Sequence, residues 1–179
     1  MTETFDHLFG GCKSAPARRH VNPDGSAGGI VAVSARLADG LTIPSDADIW
    51  PNASIGYGAS IGYGASIGYG ASIGSGASIG DGASIGSGAS IGYGDWWISA
   101  GPFGEHKRLV TAVHSAEHGL RWWVGCQWGI TTARFIDRLR ETHAPYNTPD
   151  SVAAEYCHLI GFVTTHPIYL DRVAKGMPA

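Results

Sequence analysis

The side chains best suited to acid–base or metal chemistry are the eight histidines of the chain. None of them lies between His20 and His106, so the middle of the chain offers no imidazole. No two histidines form an HxH or HExxH motif of common metal sites, and the set His7, Cys12 and His20 fits no zinc pattern. The chain also contains no nucleophile elbow, P-loop or dinucleotide fingerprint. The sequence therefore predicts no metal site, no cofactor and no catalytic residue.

The sequence favours a ligand-binding site between positions 108 and 127. The candidate ligand-binding residues are Arg108, His114, Arg121, Trp123 and Gln127, with Lys107 beside them. Trp and Arg together can stack on a ring and pair with a phosphate or carboxylate. We expect these residues to bind a small anionic ligand such as a nucleotide, or a partner protein. The alternative is that they only pack against other parts of the protein.

A predicted β-hairpin positions these candidates. The runs at 109–116 and 120–128 read as two strands around a two-residue turn at His118-Gly119. This turn pairs residue 117 with residue 120 and therefore places His114 opposite Trp123. One face then carries His114, Arg121, Trp123 and Gln127. The predicted core face carries Leu109, Thr111, Val113, Trp122, Val124, Cys126 and Trp128.

The rest of the chain is organised around residues 53–94, which are seven consecutive hexads of the type ASIGYG. Isoleucine recurs at every sixth position from 55 to 91, and the spacing extends backward through Ile49, Ile43, Leu37 and Val31. A period of six excludes the α-helix. It is typical of a solenoid in which apolar residues point inward and glycines form the corners. The eleven register positions predict a parallel β-helix of three to four coils, with three hexads in each coil.

The hexads resemble those of the hexapeptide-repeat proteins. The resemblance implies a left-handed parallel β-helix, and it implies a homotrimer because these proteins are usually trimers. The better-known members are acyltransferases, which use a histidine base, and γ-class carbonic anhydrases, which bind zinc through three histidines between subunits. Neither activity fits hexads that contain no histidine and no inserted loop.

Two further segments resemble uncharacterised phage and prophage proteins that contain such hexads. One is the opening HVNPDGSAGG at 20–29, and the other is the tail GLRWWVGCQWGITTARFIDRLRETH at 119–143. This resemblance implies an architecture and an origin in a mobile element, without an assigned activity. It also makes a host protein a reasonable partner.

The residue two positions after each register position is the one that varies between hexads. With three hexads in each coil, these residues form three columns: Tyr57, Ser75 and Tyr93; Ser45, Tyr63 and Asp81; and Pro51, Tyr69 and Ser87. They are either solvated corner residues or contacts with neighbouring subunits, since tyrosine is enriched at interfaces.

The C-terminal part reads as a small α+β domain. A helix is expected from Thr131 or Thr132, and a second from Thr148 through Val163, followed by a short helical turn that closes at Gly176. We therefore predict a mainly β protein, in which a β-helix precedes an α+β domain made of a hairpin and two helices. The predicted domains are a loosely folded cap at 1–29, the β-helix at 30–98 and the α+β domain at 99–179.

Composition narrows the range of partners and compartments. The formal net charge is −3 and the pI is about 6.2, so general binding to nucleic acid is not expected. The chain has no apolar run long enough to span a membrane and no recognisable signal peptide, which predicts a protein of the bacterial host cytoplasm without a membrane partner. Cys12, Cys126 and Cys157 are expected to be reduced.

These features predict a non-enzymatic, homotrimeric scaffold. It is expected to bind or sequester a small anionic ligand or a host protein through its C-terminal domain. Two alternatives stay open: an acyltransferase with a base from the C-terminal domain, such as His114, and a structural protein of a virion.

Overall fold

A computed structural model describes residues 3–10, 13–103, 108–124, 127–142 and 152–179. The chain forms two compact units, Met1–Gly94 and Asp95–Ala179. This division falls earlier than the predicted boundary between residues 98 and 99. Several residues named above lie outside the described ranges: Cys12, His106, Lys107, Cys126, His143 and Thr148.

The first unit is a parallel β-solenoid of about three turns preceded by a hairpin. Its strands are β1 (Thr4–Phe9), β2 (Lys13–Val21), β3 (Ala27–Ala32), β4 (Arg36–Leu37), β5 (Asp48–Ile49), β6 (Ser54–Ile55), β7 (Ser60–Ile61), β8 (Ser66–Ile67), β9 (Ser72–Ile73), β10 (Ser78–Ile79), β11 (Ser84–Ile85) and β12 (Ser90–Ile91). Each short strand pairs in parallel with the strand one coil away, so that Ser60 lies opposite Ser78 and Ile61 opposite Ile79. The predicted β-helix and its coil of three hexads are confirmed.

The strands stack in three columns, and the repeated isoleucines fill the space between them. The columns are β3-β5-β8-β11, β4-β6-β9-β12 and β7-β10. Every isoleucine from Ile43 to Ile91 in the register is buried, and Leu37 is half-buried. Burying each such side chain stabilises the fold by roughly 1.5–3 kcal/mol. The strict spacing of the apolar residues therefore maintains one continuous core.

The two glycines of a hexad serve different purposes, although the sequence predicts both for the corner. The second glycine, such as Gly64 with φ of 64°, takes the left-handed conformation at the corner. The first glycine lies where neighbouring coils touch. A Cβ on Gly56 would come within 2.5 Å of the backbone nitrogen of Ser75. At positions such as Gly56 and Gly62, which face a following coil, the first glycine is therefore required by the close approach of two backbones.

We predict that Gly62→Ala destabilises the solenoid while Gly80→Ala does not. A Cβ on Gly62 would overlap the backbone of Gly80 and Asp81, whereas a Cβ on Gly80 would meet nothing within 4 Å. Overpacking of this kind costs about 1–3 kcal/mol. Urea unfolding followed by circular dichroism should give that loss for Gly62→Ala and a change within about 0.5 kcal/mol for Gly80→Ala. Equal losses in the two variants would contradict the assigned contact between coils.

The N-terminal segment is an ordered hairpin and not the loosely folded cap that the sequence predicts. β1 pairs antiparallel with β2, β2 pairs antiparallel with β3, and β3 pairs in parallel with β5. Phe9, Ala17 and Ala32 are fully buried in a small core that includes Trp50. The indole Nε1 of Trp50 donates to Ser66 Oγ at 2.9 Å. The hairpin therefore covers the strand edge of the first coil, which would otherwise be open to pairing.

The second unit is a four-stranded antiparallel sheet with three helices. Its elements are β13 (Trp96–Phe103), β14 (Arg108–Ser115), β15 (Gly119–Val124), β16 (Gln127–Ile130), α1 (Thr132–Thr142), α2 (Val152–Thr165) and α3 (Pro167–Ala174). The strands lie in the order β13-β14-β15-β16. The predicted α+β class is confirmed. The predicted hairpin gains two strands, because Trp96–Phe103 pairs with β14 and Gln127–Ile130 pairs with β15.

Two of the helices begin at capping residues, of which Thr131 is one that the sequence predicts. Thr131 caps α1, since its Oγ1 accepts from the backbone nitrogen of Arg134 at 3.2 Å. His166 caps α3 through Nδ1, which accepts from the nitrogen of Ile168 at 3.3 Å, and Pro167 is the first helical residue. The predicted final turn is therefore a helix of two turns. Within the described residues, neither unit has a helix with the length and hydropathy needed to cross a membrane.

Candidate functional site

The turn of the predicted hairpin is one residue longer than expected, which changes its register. Ser115 pairs with Gly119, so the turn contains residues 116–118. Gly119 has φ of 66°, and the Oγ of Ser115 accepts from the nitrogen of His118 at 3.0 Å. A three-residue turn of this type uses a glycine in the left-handed conformation at its end. The predicted pairing of residues 117 and 120 is therefore wrong.

The corrected register moves the candidates to different faces of the sheet. Trp123 pairs with Thr111, and His114 pairs with Leu120. Because side chains alternate along a strand, Arg121 and Trp123 share one face while His114 lies on the other. We call the second one the helix-side face, since its residues pack with the helices: Val110, Ala112, Leu120, Trp122 and Val124. Trp123 is 9% exposed, so its ring does not form an open stacking surface.

His114 is a fully buried structural residue. Its Nδ1 accepts from Arg172 Nε at 2.9 Å, and its Nε2 donates to the carbonyl oxygen of Pro178 at 2.7 Å. A guanidinium can only donate and a carbonyl can only accept, so these contacts define a neutral ring with the proton on Nε2. Arg172 also donates to the carbonyl oxygen of His114 at 3.1 Å. Both ring nitrogens are thus used within the fold, and neither is available as a base.

Arg108, Arg121 and Gln127 do not join a common site either. Arg108 acts on the buried phenol of Tyr156: burial is the main cause that raises the pKa of Tyr156, and the charge of Arg108 opposes this rise. Arg121 donates through Nη1 to the carbonyl oxygen of its neighbour Leu120 at 3.0 Å. Gln127 lies on β16 opposite Val124 of the helix-side face. The five candidates are therefore dispersed over two faces and an edge strand.

Trp128 differs from the prediction as well. The sequence places it in the core, but its side chain is 55% exposed. An irregularity between β15 and β16 pairs Val124 with Gln127 and Trp122 with Ile130, so β16 contains one more residue than β15 in this interval. Simple alternation therefore fails for β16.

A groove of about 650 Å³ lies on the first unit, within the range of small-molecule sites. We call it the solenoid groove. Three segments line it: the turn between β2 and β3, the segment at 40–45 and the segment at 58–63. The lining residues are Asn22, Asp24, Ser26, Ala27, Gly40, Leu41, Thr42, Pro44, Ser45, Gly58, Ala59, Ser60, Ile61 and Tyr63. The groove thus joins the N-terminal turn to two successive coils.

Hydrogen bonds from the segment HVNPDGSAGG hold the walls of the groove together. Asn22 Oδ1 accepts from the backbone nitrogen of Ile43 at 2.8 Å. His20 Nε2 donates to the carbonyl oxygen of Leu41 at 3.1 Å, since a carbonyl can only accept. Arg19 donates through Nη1 to the carbonyl oxygen of Gly28 at 3.0 Å. The segment at 41–43 is therefore tied to β2 and its turn, and the groove is formed before any ligand binds.

Asp24 places a carboxylate at the groove. Its Oδ1 accepts from the hydroxyl of Ser26 at 2.6 Å and from the nitrogen of Ser26 at 2.9 Å. These hydrogen bonds, the one from the hydroxyl first, lower the pKa of Asp24 below its ordinary value. Asp24 is therefore ionised at neutral pH, and its carboxylate can accept further hydrogen bonds.

Tyr63 supplies the aromatic part of the groove. Its backbone nitrogen donates to Asp81 Oδ1 at 2.8 Å, one coil further along the same column. Its side chain is 67% exposed. The column of Ser45, Tyr63 and Asp81 is visible in the sequence. The closeness of this column to the turn at 22–27 cannot be read from the sequence, because no local pattern pairs Asn22 with Ile43.

Comparisons of the chain with protein-family models, with curated proteins and with solved structures found no match. Among the described residues, no group of three His, Cys, Asp or Glu side chains is placed to hold a metal ion. The fold and the groove define the protein as a β-solenoid with an appended α+β unit.

Proposed function

We propose that the protein is a non-enzymatic binding protein of the hexapeptide-repeat type, which assembles as a homotrimer and takes a small ligand in the solenoid groove. The observation that carries the proposal is the groove itself, with a volume of about 650 Å³ and walls that are fixed by hydrogen bonds. Preorganised walls favour binding because little conformational entropy is lost when the ligand enters.

The lining of the groove supports binding over catalysis. General-base catalysis at neutral pH works best with a group whose pKa lies near the working pH. The ionisable side chains that line the groove are Asp24, whose pKa is lowered, and Tyr63, whose side chain is largely exposed. The lowered pKa makes Asp24 a weak base and a good hydrogen-bond acceptor.

The compartment and the oligomeric state in this proposal rest on the resemblance to hexapeptide-repeat proteins and to phage and prophage proteins. Exposed tyrosines at the corners, with Tyr57 and Tyr93 in one column, support subunit contacts of the kind that trimeric hexapeptide-repeat proteins make. The resemblance to phage and prophage proteins supports the cytoplasm of a bacterial host as the compartment. In this proposal the second unit has a structural role, since the five hairpin candidates do not converge.

Filling the groove should abolish ligand binding without affecting the fold. Thr42 is exposed and lines the groove. Ser54 is also exposed and has the same position in its hexad as Thr42, but it belongs to another column and does not line the groove. A library of small polar compounds should contain members that raise the melting temperature of the wild-type protein and of Ser54→Trp, but not of Thr42→Trp. Sedimentation of all three proteins should give three copies of the 18.7 kDa chain.

Two outcomes would contradict the proposal. One is a set of binders that Thr42→Trp leaves unchanged, because the ligand site would then lie elsewhere. The other is turnover, such as transfer of the acetyl group of acetyl-CoA to a bound compound, which would make the protein an acyltransferase.

A further inference from the structure

The charge of the solenoid groove restricts the class of its ligand. Among the described lining residues, Asp24 is the one charged side chain at neutral pH, and none is Lys, Arg or His. The nearby Arg19 is already bonded to the carbonyl oxygens of Gly28 and Ser45. An anionic ligand would place a like charge near Asp24, and no cationic side chain among the described lining residues is there to bind it. The groove therefore disfavours the anionic ligand that the sequence predicts.

The polar groups of the groove match a ligand with several hydroxyl groups. The hydroxyls of Thr42, Ser45 and Ser60 form no side-chain hydrogen bond with another described residue. Each hydroxyl can donate one hydrogen bond and accept two. Asp24 adds a carboxylate, whose oxygens can only accept hydrogen bonds. Hydrogen bonds to a charged acceptor are stronger than those between neutral groups. A set of donors and acceptors of this kind complements a polyol better than it complements an apolar compound.

Tyr63 supplies an apolar surface for a ligand with several hydroxyl groups. Tyr63 lines the groove with a largely exposed ring. One face of a sugar ring carries C–H groups, which pack on an aromatic ring while the hydroxyls at the rim form hydrogen bonds. A quaternary ammonium ligand would instead call for several aromatic rings around the charge. Only one aromatic side chain, that of Tyr63, is present among the described lining residues.

On the basis of the proposed function, we propose that the solenoid groove binds a neutral saccharide. Tyr63 stacks on the C–H face of one sugar ring, Asp24 accepts hydrogen bonds from sugar hydroxyls, and the hydroxyls of Thr42, Ser45 and Ser60 bond to the remaining rim. The ligand stays largely hydrated, because the groove is open to solvent.

A panel of oligosaccharides in three charge classes tests this inference on the full-length protein. It contains neutral glycans, sialylated or sulfated glycans, and glycans with free amino groups. We expect binding to neutral members. Affinity should fall at least tenfold in Tyr63→Ala and in Asp24→Ala. Trp128→Ala is the control, since Trp128 is an exposed aromatic residue of the second unit outside the groove lining, and it should bind like the wild type.

The outcomes separate this inference from the proposed function. Binding restricted to charged glycans, or binding of neutral glycans that Tyr63→Ala and Asp24→Ala leave unchanged, would overturn the saccharide assignment. Binders from the polar compound library that depend on Tyr63 but are not sugars would also overturn it, while the groove would stand as a binding site. If Thr42→Trp abolishes the binding of no compound in either set, both proposals are wrong.

Discussion

Deleting residues 59–76 should leave a folded protein, whereas deleting residues 59–61 should unfold it. The longer deletion removes one coil and joins Gly58 to Ala77 in the same register, because paired residues are three hexads apart along the chain. The shorter deletion moves Ile67 from its place opposite Ile49 to a place opposite Asp46. Ile73 and Ile79 shift in the same way, so the three isoleucines of one coil lie out of register with the coil before it. Exposing these three side chains costs roughly 4.5–9 kcal/mol, which is comparable with the total stability of a typical domain, about 5–15 kcal/mol.

Circular dichroism and sedimentation of both deletion variants check this prediction. The 59–76 variant should keep the spectrum and the assembly state of the wild type. It should also lose ligand binding, since Asp81 then follows in the place of Tyr63. A protein with a second copy of residues 59–76 is the matched control and should fold. Folding of the 59–61 variant would mean that the register does not determine the core.

Trp122→Ala should cost about 3–5 kcal/mol of unfolding free energy, which is the usual loss for a large buried aromatic residue. Trp122 is fully buried on the helix-side face. Its ring centroid lies 5.4 Å from that of Phe135, and its Nε1 donates to Thr132 Oγ1 at 3.0 Å. Removing the ring leaves a cavity and an unused hydroxyl partner at the start of α1.

Trp128→Ala provides the comparison, because the same atoms are removed from an exposed position. We expect it to change the unfolding free energy by no more than about 0.5 kcal/mol. Urea unfolding followed by the helical circular dichroism signal, which comes from α1–α3, measures both variants. A large loss in Trp128→Ala would show that β16 is buried in the assembled protein, and a small loss in Trp122→Ala would contradict the core assignment.

The sequence predicts the solenoid well because its core repeats. Each isoleucine has the same environment as the one three hexads away, so the spacing alone determines which strands pair. The same argument fails for the hairpin, where one turn sets the whole register. The three-residue turn at 116–118, which Gly119 follows in the left-handed conformation, replaces the predicted two-residue turn and separates His114 from Trp123.

The solenoid groove depends on contacts that no local pattern contains. The bond from Ile43 to Asn22 joins residues 21 positions apart, and it connects a turn with a coil that has no strand at this point. The column of Tyr63 and Asp81 could be predicted from the repeat. Its position beside Asp24 could not, because the N-terminal hairpin folds onto the solenoid through β3.

Hydrogen–deuterium exchange of the full-length protein, with and without the tightest-binding neutral glycan of the panel, tests the central claim that the groove is the binding site. The account predicts slower exchange at 22–27, 40–45 and 58–63, and no change at 108–124, where the sequence alone places the ligand. Slower exchange confined to 108–124, or no slowing at the three groove segments, would contradict it.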